Sequence, residues 1–242
     1  MRSDGTQTRG TNSNCACGYT PWGTYLSCEE NWPDYFRMGD GDNGKHDLDY
    51  EYVNSDDKRL LVGQEHGRDN HSRGTYQWYN AAGASDEDNG EFARWYPFST
   101  ISVDSNHQPI SHDPTQDFRN ETRTFGYVVE IDPYTNTKAV KRTRLGRFRH
   151  ENCWPGKLIA GEPVVYYMGH DSLSEYLYRF VSEKRWDPAD ANRPGEQYDR
   201  LSIGDKYLDQ GTLYVAKFND DGTGKWLALN PDSITKNNQK LF

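Results

Sequence analysis

The chain has 242 residues and a net charge of −9, and 33% of its residues are hydrophobic. That length accommodates one large domain or two small ones. An acidic balance without a basic run argues against a nucleic-acid partner, and no stretch approaches the ~20 apolar residues of a membrane span. The first residues are polar rather than apolar, so no signal peptide is visible in this chain.

The composition is rich in rings, with 17 Tyr and 7 Trp. Tyrosine and tryptophan favour strands and supply buried area together with a polar group, so they predict a β-rich core. Residues 1–13 are polar and predict an irregular lead-in. Residues 32–123 contain repeated turn and loop clusters, which predict long surface loops on a few short strands.

From residue 124 onward the pattern predicts antiparallel strands joined by Asp-Pro and Asp-Gly turns. The strands predicted there are residues 125–131, 137–142, 164–168, 175–181, 211–218 and 225–229. Nearer the start of the chain, a short strand is predicted at residues 25–26, after the turn at residues 20–24. Apart from a helical turn at residues 188–191, no helix is predicted. Short strands of this kind indicate an all-β fold, either a sandwich, a barrel or a propeller. No fixed repeat period selects the propeller among them.

The first candidate for chemistry is a group of thiols and carboxylates around the turn at residues 20–24. Cys15, Cys28, Glu29 and Glu30 offer soft and hard metal ligands together. Since neighbouring residues of an extended strand face opposite ways, only one of the two glutamates would face a given metal. The alternative is a solvated strand end with the cysteines filling the core.

The second candidate is residues 144–151, where three arginines precede His150 and Glu151. Guanidinium groups beside a carboxylate could bind an anion next to a metal, but an exposed charged strand explains the same pattern. Asp171 follows an apolar strand and Gly169, which is a common position for a calcium ligand. A turn-initiating aspartate is the alternative.

Two further segments carry carboxylates. Glu130 lies within an apolar strand, and an unpaired buried carboxylate costs several kcal/mol, so it must be exposed, paired or bound to a metal. Residues 219–224 resemble half of a calcium loop but lack the distal glutamate of an EF-hand. That segment is better interpreted as a hairpin loop.

Residues 14–31 read Asn-Cys-Ala-Cys-Gly-Tyr-Thr-Pro-Trp-Gly-Thr-Tyr-Leu-Ser-Cys-Glu-Glu-Asn, which resembles a motif of PhoX-type alkaline phosphatases. Residues 125–133, 141–151, 167–182 and 211–218 resemble further segments of that family in the same order. Five collinear segments make the resemblance specific, although residues 32–124 match poorly.

The resemblance implies a six-bladed β-propeller, present here as a single partial propeller domain over residues 1–242 with an insertion-like region at about 32–124. It implies metal-dependent hydrolysis of small-molecule phosphomonoesters by a monomer that uses iron and calcium. Family members are exported, which implies a periplasmic or secreted protein.

The resemblance also implies roles for individual residues. The expected metal ligands are Cys15, Glu30, Glu130, Glu151 and Asp171, and the expected catalytic residue is Arg147. In such a site, bridged metals would hold the nucleophile and neutralise charge on the phosphoryl group.

The chain departs from the family pattern at two positions and in its extent. Cys17 and His170 stand where the family usually has glycine and aspartate. The twin-arginine export signal and the Met-Asp-Arg-Pro-Glu-Trp motif of the family do not occur in the sequence. We therefore expect a fragment with an incomplete metal site. The alternative function is a non-catalytic, calcium-binding propeller module.

Overall fold

The computed structural model describes residues 7–36, 95, 121–172 and 175–229. Two compact units make up the chain, one of residues 1–12 and 31–125 and the other of residues 13–30 and 126–242. Most of the loop region predicted at residues 32–123 lies outside the described residues. The same holds for the first six residues of the predicted lead-in.

The described part of the first unit is built around aromatic rings. Two 3₁₀ helices, Trp32–Tyr35 and Glu121–Thr124, belong to it. The buried side chains of Trp32, Phe36 and Phe125 form a cluster with Tyr35 and Trp95. The Phe36 and Trp95 ring centroids are 5.2 Å apart, a spacing typical of stabilising aromatic pairs.

The second unit contains two antiparallel sheets. The first has the strand order β1 (Asn14–Tyr19), β2 (Tyr25–Glu29), β3 (Val128–Ile131) and β4 (Val140–Lys141). The second has the order β5 (Trp154–Pro155), β6 (Pro163–Gly169), β7 (Leu177–Arg185), β8 (Gly211–Phe218) and β9 (Gly224–Leu229). The seven predicted strands are confirmed with shifted ends, among them β2 where a short strand is predicted at residues 25–26, whereas β1 and β5 were not predicted. The all-β class is confirmed, but neither sheet closes on itself within the described residues.

The register of the first sheet decides which side chains enter the core. Leu26 pairs with Glu130, and Cys28 pairs with Val128. All four are fully buried, as expected for cross-strand partners that share one face of the sheet. The carboxylate of Glu130 therefore lies in the core rather than on the surface.

A close backbone approach fixes the position of β1. A side-chain carbon at Gly18 would collide with the carbonyl oxygen of Cys153, just before β5. Only glycine allows the two segments to meet so closely. This contact brings the first sheet against the start of the second.

One buried cluster serves both sheets. Its largest members include Trp22, Leu26, Tyr166, Phe180 and Tyr207. The rings of Trp22 and Tyr207 are stacked with centroids 5.5 Å apart. Aromatic rings are thus among the bulkiest side chains of this core, as the composition predicts.

One helix contradicts the prediction that helices are absent. Helix α1 (Arg200–Leu208) begins after Asp199, whose side chain accepts a hydrogen bond from the Ser202 amide at 3.0 Å. This is the usual N-terminal cap of a helix. The helical turn predicted at residues 188–191 is confirmed as the 3₁₀ helix Pro188–Asp190. Among the described residues, no helix has the length and apolar character needed to cross a membrane.

Candidate metal centre

A bulge in β1 presents the first candidate ligand. Asn14 pairs with Glu29 and Cys17 pairs with Ser27, so two residues of β1 oppose a single residue of β2. Such a bulge re-aims the side chains within it. Cys15, one of the two residues in the bulge, is exposed to solvent.

The thiol of Cys15 meets the carboxylate of Glu30. A hydrogen bond with Glu30 is the largest cause that raises the pKa of the Cys15 thiol. Glu30 follows the last residue of β2, and its amide donates to the Ser13 carbonyl at 3.1 Å. The backbone on both sides of the bulge therefore fixes this pair.

A short extended segment, residues 149–151, joins the first sheet to this pair. The His150 amide donates to the Glu29 carbonyl at 2.9 Å, and the Ala16 amide donates to the Glu151 carbonyl at 3.1 Å. Glu151 is therefore bound through its backbone to the residue that follows Cys15. We call residues 149–151 the seam segment.

The seam segment also pairs with the end of β6. The Glu151 amide donates to the Gly169 carbonyl at 3.2 Å, and the Asp171 amide donates to the Arg149 carbonyl at 3.1 Å. This antiparallel pairing sets Glu151 opposite Gly169 and Asp171 opposite Arg149, so the two carboxylate residues lie diagonally across the pair. Both side chains are exposed. Glu30 forms side-chain hydrogen bonds with both Cys15 and Asp171, and the charge of Glu151 acts on it. Four predicted ligands from distant parts of the sequence therefore lie close together.

The gathered carboxylates repel one another. Burial raises the pKa of Glu30, and a hydrogen bond with Asp171 together with the negative charges of Asp171 and Glu151 raises it further. The negative charges of Glu30 and Glu151 also raise the pKa of the Cys15 thiol. A cation placed among these groups would relieve the repulsion.

The donor types fit the metals that the sequence suggests. One thiol suits iron, and carboxylate oxygens suit calcium. Within the described residues, however, no three side chains of His, Cys, Asp or Glu are arranged to hold one metal ion together. The candidate ligands, Cys15, Glu30, Glu151 and Asp171, meet through pairwise contacts rather than as a closed cage.

Comparison with known proteins identifies the family of the chain. The family model of alkaline phosphatase PhoX matches residues 1–241. The chain belongs to the PhoX alkaline phosphatase family. It is also similar to the structure of Pseudomonas fluorescens PhoX in complex with vanadate, a transition-state analogue, with 29% sequence identity and a TM-score of 0.58. That similarity covers 91% of this chain and 30% of the Pseudomonas chain. No curated protein matches the sequence.

The resemblance to PhoX predicts that Glu130 binds a metal, whereas in the structure side chains of the core bind its carboxylate. Its Oε1 accepts hydrogen bonds from Trp22 Nε1 at 2.7 Å and Thr24 Oγ1 at 2.5 Å, and its Oε2 accepts one from Arg142 Nε at 2.6 Å. Both oxygens are therefore occupied in the core, where Glu130 is fully buried. These contacts give Glu130 a structural role in the core, and its role as a metal ligand stays a prediction.

Arg142 completes a buried ionic network around Glu130. Its Nη1 donates to Asp205 at 2.6 Å and to Asp209 at 2.9 Å, and its Nη2 donates to the Leu201 carbonyl at 2.8 Å. Arg142 is fully buried. The network ties β3 to helix α1.

The arginine predicted to act in PhoX-type catalysis lies just before the seam segment. Arg147 is half-buried and follows Gly146, whose φ of 96° marks a tight turn. Arg149, inside the seam segment, is 5% exposed. The catalytic role of Arg147 stays a prediction.

Cys17 and His170, the two residues that depart from the PhoX pattern, each contact residues outside the set of candidate ligands. Burial and a hydrogen bond with Cys17 raise the pKa of Tyr25, which places the Cys17 thiol at the Tyr25 hydroxyl. His170 Nδ1 lies 3.4 Å from Glu175 Oε2. The His170 ring also packs against Phe148, with centroids 5.3 Å apart.

Lys141, which the sequence did not single out, forms an ion pair with Glu29, the neighbour of Glu30. Lys141 Nζ lies 2.7 Å from Glu29 Oε1. Glu29 Oε2 accepts hydrogen bonds from the amides of Gly126 and Tyr127 at 2.9 and 3.0 Å. Glu29 is thus held by β4 and the start of β3, while Glu30 is left to meet Cys15. Lys141 and Glu29 come together through the register of the strands, which cannot be read from the sequence.

Proposed function

We propose that this chain supplies metal ligands to a phosphomonoester hydrolase site of the PhoX type. The observation that carries the proposal is the convergence of Cys15, Glu30, Glu151 and Asp171 in a chain that belongs to the PhoX family. Because the chain spans 30% of the Pseudomonas neighbour, hydrolytic activity is itself part of the proposal.

The proposed cofactors are iron and calcium. Cys15 would bind iron through its Sγ, and Glu30, Glu151 and Asp171 would bind iron or calcium through their carboxylate oxygens. When bound, these metals would polarise the phosphoryl oxygens and lower the pKa of a bound water.

The side chains must change their protonation to accept metals. A thiolate is the ligand form of cysteine, so the Cys15 Sγ proton has to leave. The adjacent Glu30 carboxylate accepts a hydrogen bond from this thiol, which makes it the nearest base for that proton. Because Glu30 must itself be ionised to bind a metal, it passes the proton on to solvent, and metal binding at this pair releases one proton.

We assign Arg147 to the phosphate group of the substrate. A guanidinium forms paired hydrogen bonds with phosphate oxygens, and Arg147 is half-buried next to the seam segment that carries Glu151. The substrates are small-molecule phosphomonoesters. The protein would act as a monomer in the periplasm or after secretion.

Hydrolysis of p-nitrophenyl phosphate with iron and Ca²⁺ tests this proposal. Cys15→Ser and Glu30→Gln should each lower the rate about 100-fold or more, since loss of an outer-shell partner alone costs about 10–100-fold. Cys17→Ser is the matched control, because it removes an exposed thiol from the same strand. Equal rates in all variants would contradict the assignment. Calcium binding without iron or hydrolysis would support the non-catalytic calcium-binding module instead.

A further inference from the structure

The two histidines beside the candidate ligands are paired across the seam. His150 and His170 form an isolated antiparallel bridge. Two backbone hydrogen bonds flank it, from Glu151 to the Gly169 carbonyl at 3.2 Å and from Asp171 to the Arg149 carbonyl at 3.1 Å. This is the non-hydrogen-bonded type of pair, in which facing Cα atoms are only ~4.5 Å apart.

The bridge sorts side chains onto two faces. Successive residues of an extended segment point to opposite sides. His150 and His170 therefore share one face, while Glu151 and Asp171, the next residue in each segment, share the other. Contacts that hold the two histidines in place therefore also hold the backbone positions from which the Glu151 and Asp171 side chains extend.

Rings cover the histidine face. The Phe148 ring stacks on His150 with centroids 3.6 Å apart and on Tyr178 with centroids 4.4 Å apart. His150 Nε2 lies 3.2 Å from the Gly146 carbonyl and donates a hydrogen bond to it. His150 is fully buried, and Phe148 is 4% exposed.

Packing of the stacked rings stabilises the bridge, which has little backbone pairing of its own. An isolated bridge has few backbone hydrogen bonds and is weak without packing on one face. Phe148 also donates its amide to the Gly126 carbonyl at 3.0 Å, which ties the stack to the segment that leads into β3. Across the seam, the Phe148 ring packs against His170 with centroids 5.3 Å apart. Because the stack thus contacts both segments, it resists a slip of residues 149–151 relative to residues 169–171.

We propose that the stack of Phe148 on His150 is a positioning device that holds Glu151 and Asp171 in register for metal binding. This inference rests on the proposed function for its metal. It assigns His150 a role behind the site rather than a ligand role within it.

The test compares matched replacements of two buried rings. His150→Leu removes the stack, His150→Phe keeps a ring against Phe148, and Phe180→Leu removes a fully buried ring from the interior of β7. Each variant is checked for folding by its urea transition. Two quantities are then measured, which are amide hydrogen exchange at Glu151 and Asp171 in the metal-free chain and the affinity for Ca²⁺.

His150→Leu should speed exchange at both amides about 10-fold relative to Phe180→Leu, because the bridge opens locally. It should also weaken Ca²⁺ binding about 10–100-fold, whereas His150→Phe should stay within about 3-fold of the unmodified chain. Equal exchange rates in the two leucine variants would overturn the positioning role. If the unmodified chain binds neither iron nor Ca²⁺, the proposed function fails, and the exchange rates still decide the positioning role.

Discussion

The structural role of Glu130 leads to a prediction of large destabilisation when its charge is removed. In Glu130→Gln, one amide oxygen can still accept from Trp22 and Thr24, as Oε1 does now. The amide nitrogen would then face Arg142 Nε, which now lies 2.6 Å from Oε2. Two donors would oppose each other in a fully buried position.

The magnitude follows from what remains around Arg142. Breaking one side of a buried ion pair typically costs about 3–5 kcal/mol. Arg142 keeps its contacts with Asp205 and Asp209, but these carboxylates are 61% and 40% exposed and are screened by solvent. We therefore expect about 3 kcal/mol, a large part of the ~5–15 kcal/mol that stabilises an ordinary domain.

Urea unfolding of Glu130→Gln measures this cost. Glu162→Gln is the matched control, since Glu162 lies 3.7 Å from Arg185 with both side chains more than half exposed, and its loss should cost less than about 1 kcal/mol. The folded Glu130→Gln chain should keep its Ca²⁺ affinity. A cost no larger than that of the control, with Ca²⁺ binding lost, would refute the structural role and support the ligand role.

Two other predictions concern the helical side of the core. Burial alone would raise the pKa of Asp190, but hydrogen bonds from Lys206 and Tyr207 hold it below its ordinary value. A carboxyl whose pKa is lowered by folding contributes stability above its unfolded pKa, and this contribution is lost as the pH falls through the folded pKa. Asp190→Asn should therefore lower the free energy of unfolding more at pH 7 than below pH ~3. Urea unfolding at both pH values measures this difference, and equal losses would contradict the reasoning. Gly204→Ala should lower the thermal midpoint although alanine favours helices by ~1 kcal/mol, because its side chain would collide with the ion pair of Glu130 and Arg142; a raised midpoint would show that the helix tolerates the side chain.

Much of the sheet structure is predictable because its determinants are local. The segments that became β6 and β8 alternate or run apolar between turn residues, which is a strong strand pattern. Strand β1 is harder to predict, since its bulge interrupts the alternation around Cys15. Helix α1 has a recognisable cap at Asp199, but Gly204 weakens its helical pattern.

The candidate site was predictable where it follows a motif and unpredictable where it depends on register. Cys15 and Glu30 lie in one segment and meet in the structure. Glu130 lies in an equally apolar strand, but its partner Arg142 becomes visible only when β3 and β4 are paired. Sequence left Glu130 exposed, paired or metal-bound, and the geometry supports the paired state.

The central claim is that Cys15 and its neighbouring carboxylates bind metal. The metal content of the purified chain, measured by mass spectrometry after reconstitution with iron and Ca²⁺, tests it most directly. We predict bound iron in the unmodified chain and in Cys17→Ser, and its loss in Cys15→Ser. Equal iron in all three chains, or none in the unmodified chain, would contradict the claim.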